Sequence, residues 1–177
     1  MPTEHERMAE SARQGPVSCA VLTVSDTRTI ETDAGGAMIV RLLAQASHTV
    51  ADRALVPDEP GQIEPKLQDW LANPSIQAVL VTGGTGIARR DTTIEVVRRL
   101  LTAELEGYGE LFRTLSFAQV GAAAMLSRAV GGLVVRDADA GGETFLFAMP
   151  GSVNAVETAM SRLILPQLAH LVWERRR

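Results

Sequence analysis

This 177-residue chain has a single cysteine and few aromatic residues, and it carries no excess of positive charge. The single cysteine, Cys19, excludes an internal disulfide and a metal site built from several cysteines. Its position in an apolar run predicts a buried core residue rather than a reactive thiol. The formal net charge of −4 gives no basic face of the kind that binds nucleic acid, so we expect no DNA or RNA partner.

Long apolar runs are missing too, since no stretch reaches the ~18 residues that a membrane-spanning helix requires. The chain starts with the acidic segment MPTEHERMAE, where a secretory signal would be basic. We therefore expect a cytoplasmic protein with no membrane partner. Residues 1–16 are polar and end in Gly15-Pro16, which predicts a flexible N-terminal tail, and residues 17–177 are predicted to form a single domain.

The signatures of several common enzyme classes are also absent. His5, His48 and His170 lack the spacing of metal ligands, and neither a Gly-x-Ser-x-Gly sequence nor a Ser/His/Asp pattern indicates a nucleophile. The sequence does not fit a P-loop, because no Lys-Ser or Lys-Thr follows Gly86. Magnesium-assisted phosphate chemistry remains compatible with the sequence.

What the chain does contain is a series of apolar runs that alternate with helical patterns. An apolar content of 46% with only 4% aromatic residues favours an α/β core of Val, Leu, Ile and Ala. Successive strand-loop-helix units imply right-handed crossovers and a doubly wound, layered sheet. We predict strands at 17–24, 48–56, 76–81, 132–136 and 143–149, the last two joined as a hairpin through 137–142. We predict a first helix that follows Asp33 as its N-cap and ends at 46. Further helices are predicted at 62–71, 92–101, 110–117, 119–126 and 152–165, and Gly107-Tyr108-Gly109 is predicted to interrupt the helical pattern.

A glycine-rich loop follows the third predicted strand, in the sequence TGGTGIARRDTTIE from Thr82 to Glu95. Glycine at 83, 84 and 86 allows positive φ and brings backbone N–H groups close to an anion. Thr92 and Glu95 have the spacing of a capping box, which predicts a helix N-terminus facing the same ligand. The glycines alone are equally typical of a simple turn. The run Arg89-Arg90-Asp91 favours phosphate binding.

Polar residues also follow the other predicted strands. Ser25 and Asp26 follow the first strand and Asp58 follows the second, at the edge where open parallel sheets bind ligands. The local sequence fits a turn or helix cap at these positions as well. Gly151-Ser152 opens a predicted helix after the last strand and offers a second anion site. Arg128 fits either a substrate contact or a surface cation.

Six short motifs in one order give the chain a family resemblance. They are TVSDTR at 23–28, VPDE at 56–59, TGGTG with RRDTT at 82–93, GELFR at 109–113, LSRAVGG at 126–132 and MPGS at 149–152. Together they resemble the molybdopterin-binding family, in its MoaB/MogA branch, over residues 17–170. The resemblance implies a three-layer αβα sandwich with a mostly parallel sheet, and a homotrimer or homohexamer.

The activity implied by the resemblance is adenylylation of molybdopterin, with ATP and molybdopterin as substrates, Mg²⁺ as cofactor and a downstream molybdenum-insertion protein. Asp58 and Asp91 match the family's catalytic, magnesium-holding carboxylates. Val153 departs from the family, in which proline often follows Gly-Ser. Further matched positions would bind substrate: Ser25, Asp26, Gly83, Gly84, Thr85, Gly86, Arg90, Arg128, Gly151 and Ser152.

Two other interpretations stay open at this point. A carrier that holds molybdopterin without adenylylating it needs the phosphate donors, but it has no need of Asp58 and Asp91. The carboxylate pair therefore favours the enzyme. A nucleotide-binding regulatory domain on a similar scaffold is a third interpretation, because a fold does not determine a function.

Overall fold

The computed structural model describes residues 15–136 and 142–176, so the predicted tail lies outside the described residues up to residue 14. Strands and helices alternate through most of this part of the chain. The strands are β1 (Ser18–Val24), β2 (Thr49–Val56), β3 (Ala78–Thr82), β4 (Ala103–Glu104), β5 (Val130–Val135) and β6 (Glu143–Met149). The helices are α1 (Ala34–Gln45), α2 (Pro60–Ala72), α3 (Thr93–Leu100), α4 (Glu106–Val120), a 3₁₀ turn (Gly121–Leu126), α5 (Val153–Ala159), a π turn (Met160–Ile164) and α6 (Leu165–Arg176).

The strands form one six-stranded sheet in the order β2-β1-β3-β6-β5-β4. β1, β2, β3 and β6 are parallel, whereas β5 runs antiparallel to both β6 and β4. The predicted hairpin is confirmed, with β5 beginning at Val130, and its turn at 137–141 lies outside the described residues. Right-handed crossovers between the parallel strands require helices on the faces of the sheet.

Two apolar cores flank the sheet, because alternate strand residues point to opposite faces. On one side Cys19 and Val21 pack with Ile39 of α1, together with parts of α4, α5 and α6. On the other side Ala20 and Leu22 pack with α2 and α3. The predicted three-layer αβα sandwich with a mostly parallel sheet is confirmed. Cys19 is fully buried as expected, and burial raises the pKa of its thiol to about 12.

Asp33 caps α1 as predicted, since its Oδ1 accepts a hydrogen bond of 2.9 Å from the Gly36 N–H. Its Oδ2 accepts from the Thr23 hydroxyl at 2.6 Å and from the Arg53 guanidinium at 2.9 Å. Burial opposes ionisation of Asp33, but these hydrogen bonds outweigh it and hold the pKa of the carboxyl below its ordinary value. The cap therefore ties the start of α1 to β1 and β2.

The interruption predicted at Gly107-Tyr108-Gly109 is wrong, because these residues lie in the first turn of α4. Gly109 permits a close approach there: a Cβ at this position would lie 2.7 Å from the Ala129 carbonyl oxygen. The C-terminal helix also continues past its predicted end at Leu165 through the π turn into α6. Among the described residues, no helix is long and apolar enough to span a membrane.

Candidate functional site

The carboxyl ends of the four parallel strands meet at one edge of the sheet. The register pairs Thr23 of β1 with Thr82 of β3, and Thr82 with Met149 of β6. The loops that follow these strands therefore surround one cavity of 410 Å³. It is lined by Val24, Ser25, Asp26, Thr27, Arg28, Asp58, Gly83, Gly84, Thr85, Gly86, Arg90, Asp91, Leu126, Ser127, Pro150 and Gly151.

The glycine loop takes a shape that side chains would not permit. Gly83 and Gly84 have positive φ values of +94° and +61°, as the sequence predicts. A Cβ on Gly83 would lie 2.2 Å from the Val24 carbonyl oxygen. Gly86 differs, because it does not have positive φ; there the missing side chain leaves room for the Asp91 carboxylate, 2.5 Å from a notional Cβ.

Asp58 is bound to the loop after β3 rather than to its own helix. Its Oδ1 accepts from the Thr92 N–H at 3.1 Å and from the Thr92 hydroxyl at 2.9 Å. Glu59 occupies the N-cap position of α2, so the cap interpretation of Asp58 is wrong. The second carboxylate oxygen, Oδ2, accepts no hydrogen bond from the residues that the structure describes. Burial raises the pKa of Asp58, and the nearby charges of Asp91 and Asp26 raise it further against the Thr92 hydrogen bonds.

The capping box predicted from Thr92 and Glu95 is also wrong. Thr92 is the N-cap residue of α3 but makes no side-chain cap hydrogen bond, because its hydroxyl donates to Asp58 instead. The Glu95 carboxylate binds the guanidinium of Arg128. Both partners lie more than thirty residues away in sequence, so local spacing gives no sign of them.

Asp91 has a similar arrangement to Asp58, with one oxygen engaged and one without a protein donor. Its Oδ2 accepts from the Ala88 N–H at 2.9 Å and so closes the loop on itself. Within the described ranges, Oδ1 receives no hydrogen bond. Two carboxylates thus border the same cavity, each with one oxygen available to a ligand.

Asp26 and Ser25 hold the neighbouring loop in place. Asp26 Oδ1 accepts from the Asp58 N–H at 2.9 Å, and its Oδ2 lies 3.4 Å from the guanidinium of Arg90, which is otherwise largely exposed. The Ser25 hydroxyl oxygen accepts from the N–H groups of Thr27 and Arg28, so the turn-capping interpretation of Ser25 is confirmed. Ser25 nevertheless borders the cavity.

Arg28 is a cavity residue that the sequence interpretation passed over. Its guanidinium donates to the Gly151 carbonyl at 3.2 Å and lies 4.0 Å from Asp33, which links the loops after β1 and β6. The available signal was its place in the same strand-end loop as Ser25 and Asp26. A cation at that edge of a parallel sheet suits an anionic ligand.

Two predicted site residues do not line the cavity. The Ser152 hydroxyl oxygen accepts from the Ala155 N–H at 3.2 Å and caps α5, although the adjacent Gly151 does border the cavity. Arg128 donates its hydrogen bonds to main-chain carbonyl groups of the glycine loop. Roles in binding or catalysis stay predictions for all of the site residues.

The donor set suits a magnesium ion that is shared with a phosphate ligand. The described residues contain no cluster of three or more His, Cys, Asp or Glu side chains that would enclose a metal ion. Mg²⁺ in phosphate sites takes one or two carboxylates and completes its octahedron with water and phosphate oxygens. The free oxygens of Asp58 and Asp91 meet that requirement.

A larger cavity of 610 Å³ lies between α4 and the π turn, away from this edge. Its lining includes Leu105, Leu111, Phe147 and Leu171 and none of the glycine loop. Size therefore does not identify the site. The smaller cavity combines a glycine loop and cations, which suit phosphate groups, with carboxylates, which suit a metal ion that binds phosphate.

Comparisons with known proteins show which family and which solved structures the chain is similar to. Residues 20–170 match the family model described as "Probable molybdopterin binding domain". The chain is 50% identical to "Molybdenum cofactor biosynthesis protein B" of Staphylococcus carnosus, over 89% of this chain and 90% of that protein. A crystal structure of a molybdenum cofactor biosynthesis protein B superposes with a TM-score of 0.86 at 42% identity, covering 93% of this chain and 99% of that one. The "tungsten cofactor synthesizing protein MoaB from Pyrococcus furiosus" has a TM-score of 0.81 at 32% identity, with 92% and 98% coverage.

Proposed function

Because this chain belongs to the molybdopterin-binding family, we propose that it is an adenylyltransferase of molybdenum cofactor biosynthesis, which transfers AMP from ATP to molybdopterin. Family membership supports the biosynthetic role and molybdopterin as a ligand. The observation that carries the catalytic part is the pair of carboxylates, Asp58 and Asp91, beside a glycine loop in one cavity. Binding alone does not need that pair.

In the proposed reaction an oxygen of the pterin's terminal phosphate attacks the α-phosphorus of ATP. A new phosphoanhydride bond forms, the bond between the α-phosphorus and the bridging oxygen breaks, and pyrophosphate leaves with that oxygen. Two polyanions must therefore be held in contact, which costs electrostatic repulsion that the protein offsets. The loop residues Gly83 to Gly86 and the cations Arg28 and Arg90 border the space where these phosphates would lie.

The carboxylates hold their positions through the loops that carry them. Thr92 fixes Asp58, the Ala88 N–H fixes Asp91, and Asp26 fixes the main chain at Asp58. The free oxygens of Asp58 and Asp91 would hold Mg²⁺, and its positive charge would offset that of the substrate phosphates. Burial and the neighbouring carboxylates raise the pKa of Asp58, which disfavours its ionised form. A cation bound at this point would favour the ionised form.

The test is to incubate the purified protein with molybdopterin, ATP and Mg²⁺ and to follow pyrophosphate and adenylylated pterin. The proposal expects both products in equal amounts, and no pyrophosphate when either molybdopterin or Mg²⁺ is omitted. Tight molybdopterin binding without pyrophosphate would overturn the proposal and support the carrier. In the proposed sequence, a separate molybdenum-insertion protein consumes the AMP-activated pterin.

We also propose that the chain assembles as a homotrimer or homohexamer. Support comes from large apolar side chains that α4 and the 3₁₀ turn expose: Leu111 is 56% exposed, Phe117 64% and Met125 82%. These side chains lie within one stretch of the chain, and contiguous apolar patches mark interaction surfaces in soluble proteins. Light scattering should give three or six times the chain mass of 19.0 kDa. A monomer at micromolar concentration would contradict this assembly.

A further inference from the structure

We propose that Arg128 is a positioning residue that holds the glycine loop in its anion-binding shape by binding main-chain carbonyl groups. Only the expected effect of Arg128 on catalysis rests on the proposed function. Its effect on the shape of the loop does not require a bound substrate. This role differs both from a direct substrate contact and from a surface cation.

Three carbonyl oxygens of the loop converge on the guanidinium of Arg128. Its Nε donates to the Thr85 carbonyl at 2.8 Å, and its Nη2 donates to the carbonyls of Gly86 and of Asp91, the latter at 3.4 Å. The Arg128 side chain is 26% exposed and does not line the cavity. The guanidinium therefore lies behind the loop, and the cavity lies in front of it.

The position of these carbonyl groups decides where the N–H groups point. In a trans peptide the C=O of one residue and the N–H of the next are antiparallel, and the described chain contains no cis peptide. When the carbonyls of Thr85 and Gly86 face Arg128, the N–H groups of Gly86 and Ile87 point away from it. A loop with two glycines at positive φ has little intrinsic preference for this arrangement. Arg128 supplies the preference.

Glu95 in the first turn of α3 fixes the guanidinium in turn. Its carboxylate accepts from both Nη1 and Nη2 of Arg128, and these hydrogen bonds hold the pKa of Glu95 below its ordinary value. A guanidinium presents its donors in a rigid planar fork, whereas a lysine ammonium is a single compact charge on a flexible stem. Lysine at position 128, with three donors, therefore cannot bind all three carbonyls and both Glu95 oxygens at once.

The experiment compares Arg128→Lys, Arg128→Ala and Glu95→Gln with the unmodified protein in its native assembly. Arg99→Ala is the matched control, because Arg99 lies on α3 with Glu95 but forms its exposed ion pair with Glu64. The first measurement is amide hydrogen exchange of peptides covering residues 83–93 without substrate. The second is kcat and KM for AMP transfer.

The proposal expects roughly 10-fold or faster exchange in this segment for both Arg128 variants, with the rest of the chain unchanged. Glu95→Gln should give a smaller increase, and Arg99→Ala none. The kcat should fall at least ~10-fold in Arg128→Lys as in Arg128→Ala, because the lost feature is the fork and not the charge. Unchanged amide hydrogen exchange in the β-sheet shows that a variant keeps its fold. If Arg128→Ala does not fold, Arg128→Lys and Glu95→Gln test the proposal without it.

Arg128→Lys with exchange at the level of the unmodified protein would overturn the proposal. So would a rise in KM with unchanged loop exchange, since that result describes a direct substrate contact. If the unmodified protein shows no AMP transfer, the proposed function fails while the exchange measurement still decides the role of Arg128. The two failures are therefore distinguishable.

Discussion

Replacing Gly84 by alanine perturbs the loop and Asp58 with one methyl group. The Cβ would lie 2.3 Å from the Thr93 hydroxyl oxygen and 2.5 Å from Asp58 Oδ2, at a residue with φ of +61°. Thr93 is fully buried in α3 and cannot retreat, whereas Asp58 is only half-buried. We therefore expect the Asp58 carboxylate to be displaced from the cavity edge.

The cost has two parts. A left-handed conformation costs a residue with a Cβ ~1–2 kcal/mol, and the overlap adds ~1–3 kcal/mol of packing strain. The free energy of unfolding should fall by roughly 2–4 kcal/mol after relaxation, which lowers the Tm by on the order of 5–15 °C for a chain of this size. AMP transfer should fall by roughly 10²-fold or more, because the displaced Asp58 no longer faces Asp91.

Calorimetry and the pyrophosphate assay on the same preparation measure both effects. Gly61→Ala is the control, since Gly61 is exposed on α2 and nothing lies within 4 Å of a Cβ there. It should leave the Tm and turnover unchanged or raise the Tm slightly. A Gly84→Ala protein with the Tm and turnover of the unmodified chain would refute the reasoning about this loop.

Two further predictions concern single carboxylates. Asp58→Asn should raise the Tm at pH 7 in metal-free buffer. Because the pKa of Asp58 is raised in the folded state, the stability that this group contributes is present at low pH and is lost as pH rises through that pKa. Asparagine does not ionise, so the variant does not lose stability in this way. An unchanged or lower Tm would show that burial of the charge costs nothing. Asp33→Asn should destabilise the fold by roughly 2–4 kcal/mol at pH 7, because the buried partner of Arg53 is lost. Because the pKa of Asp33 is lowered in the folded state, the stability that its charge contributes is lost as pH falls from the ordinary Asp pKa through the lowered one. The difference in free energy of unfolding between the variant and the unmodified protein, measured by urea melts, should therefore shrink over that pH range. A difference that stays constant with pH would contradict the ion pair.

The layered fold follows from the sequence because its signals are local. Continuous apolar runs predict central parallel strands, and the turn composition at 137–142 predicts the hairpin. Asp33 is a predictable N-cap because its partner, Gly36, is three residues away. The role of Gly109 cannot be predicted for the opposite reason, since the group that requires a glycine there is the carbonyl of Ala129, in the loop before β5.

The sequence likewise predicts one part of the candidate site and not the other. The order of strand ends predicts that Ser25, Asp26, Asp58 and the glycine loop share one edge, and the structure brings them together. The partner of each side chain could not be predicted, because it depends on how the loops pack. The Thr92–Asp58 and Arg128–Glu95 contacts replace a capping box that local spacing alone favoured.

The catalytic role proposed for Asp58 and Asp91 can be tested with the variant Asp91→Asn. Asparagine keeps the size of aspartate and one carbonyl oxygen but loses the charge that Mg²⁺ prefers. If that charge contributes ~3–4 kcal/mol to the transition state, AMP transfer should fall roughly 10²- to 10³-fold. Molybdopterin affinity should change little, because the loop glycines are untouched. The decisive measurement is the rate of AMP transfer and the molybdopterin affinity of both proteins on matched preparations. We expect slow transfer with near-normal affinity in Asp91→Asn. Near-normal transfer in that variant would show that the Asp91 carboxylate is not catalytic.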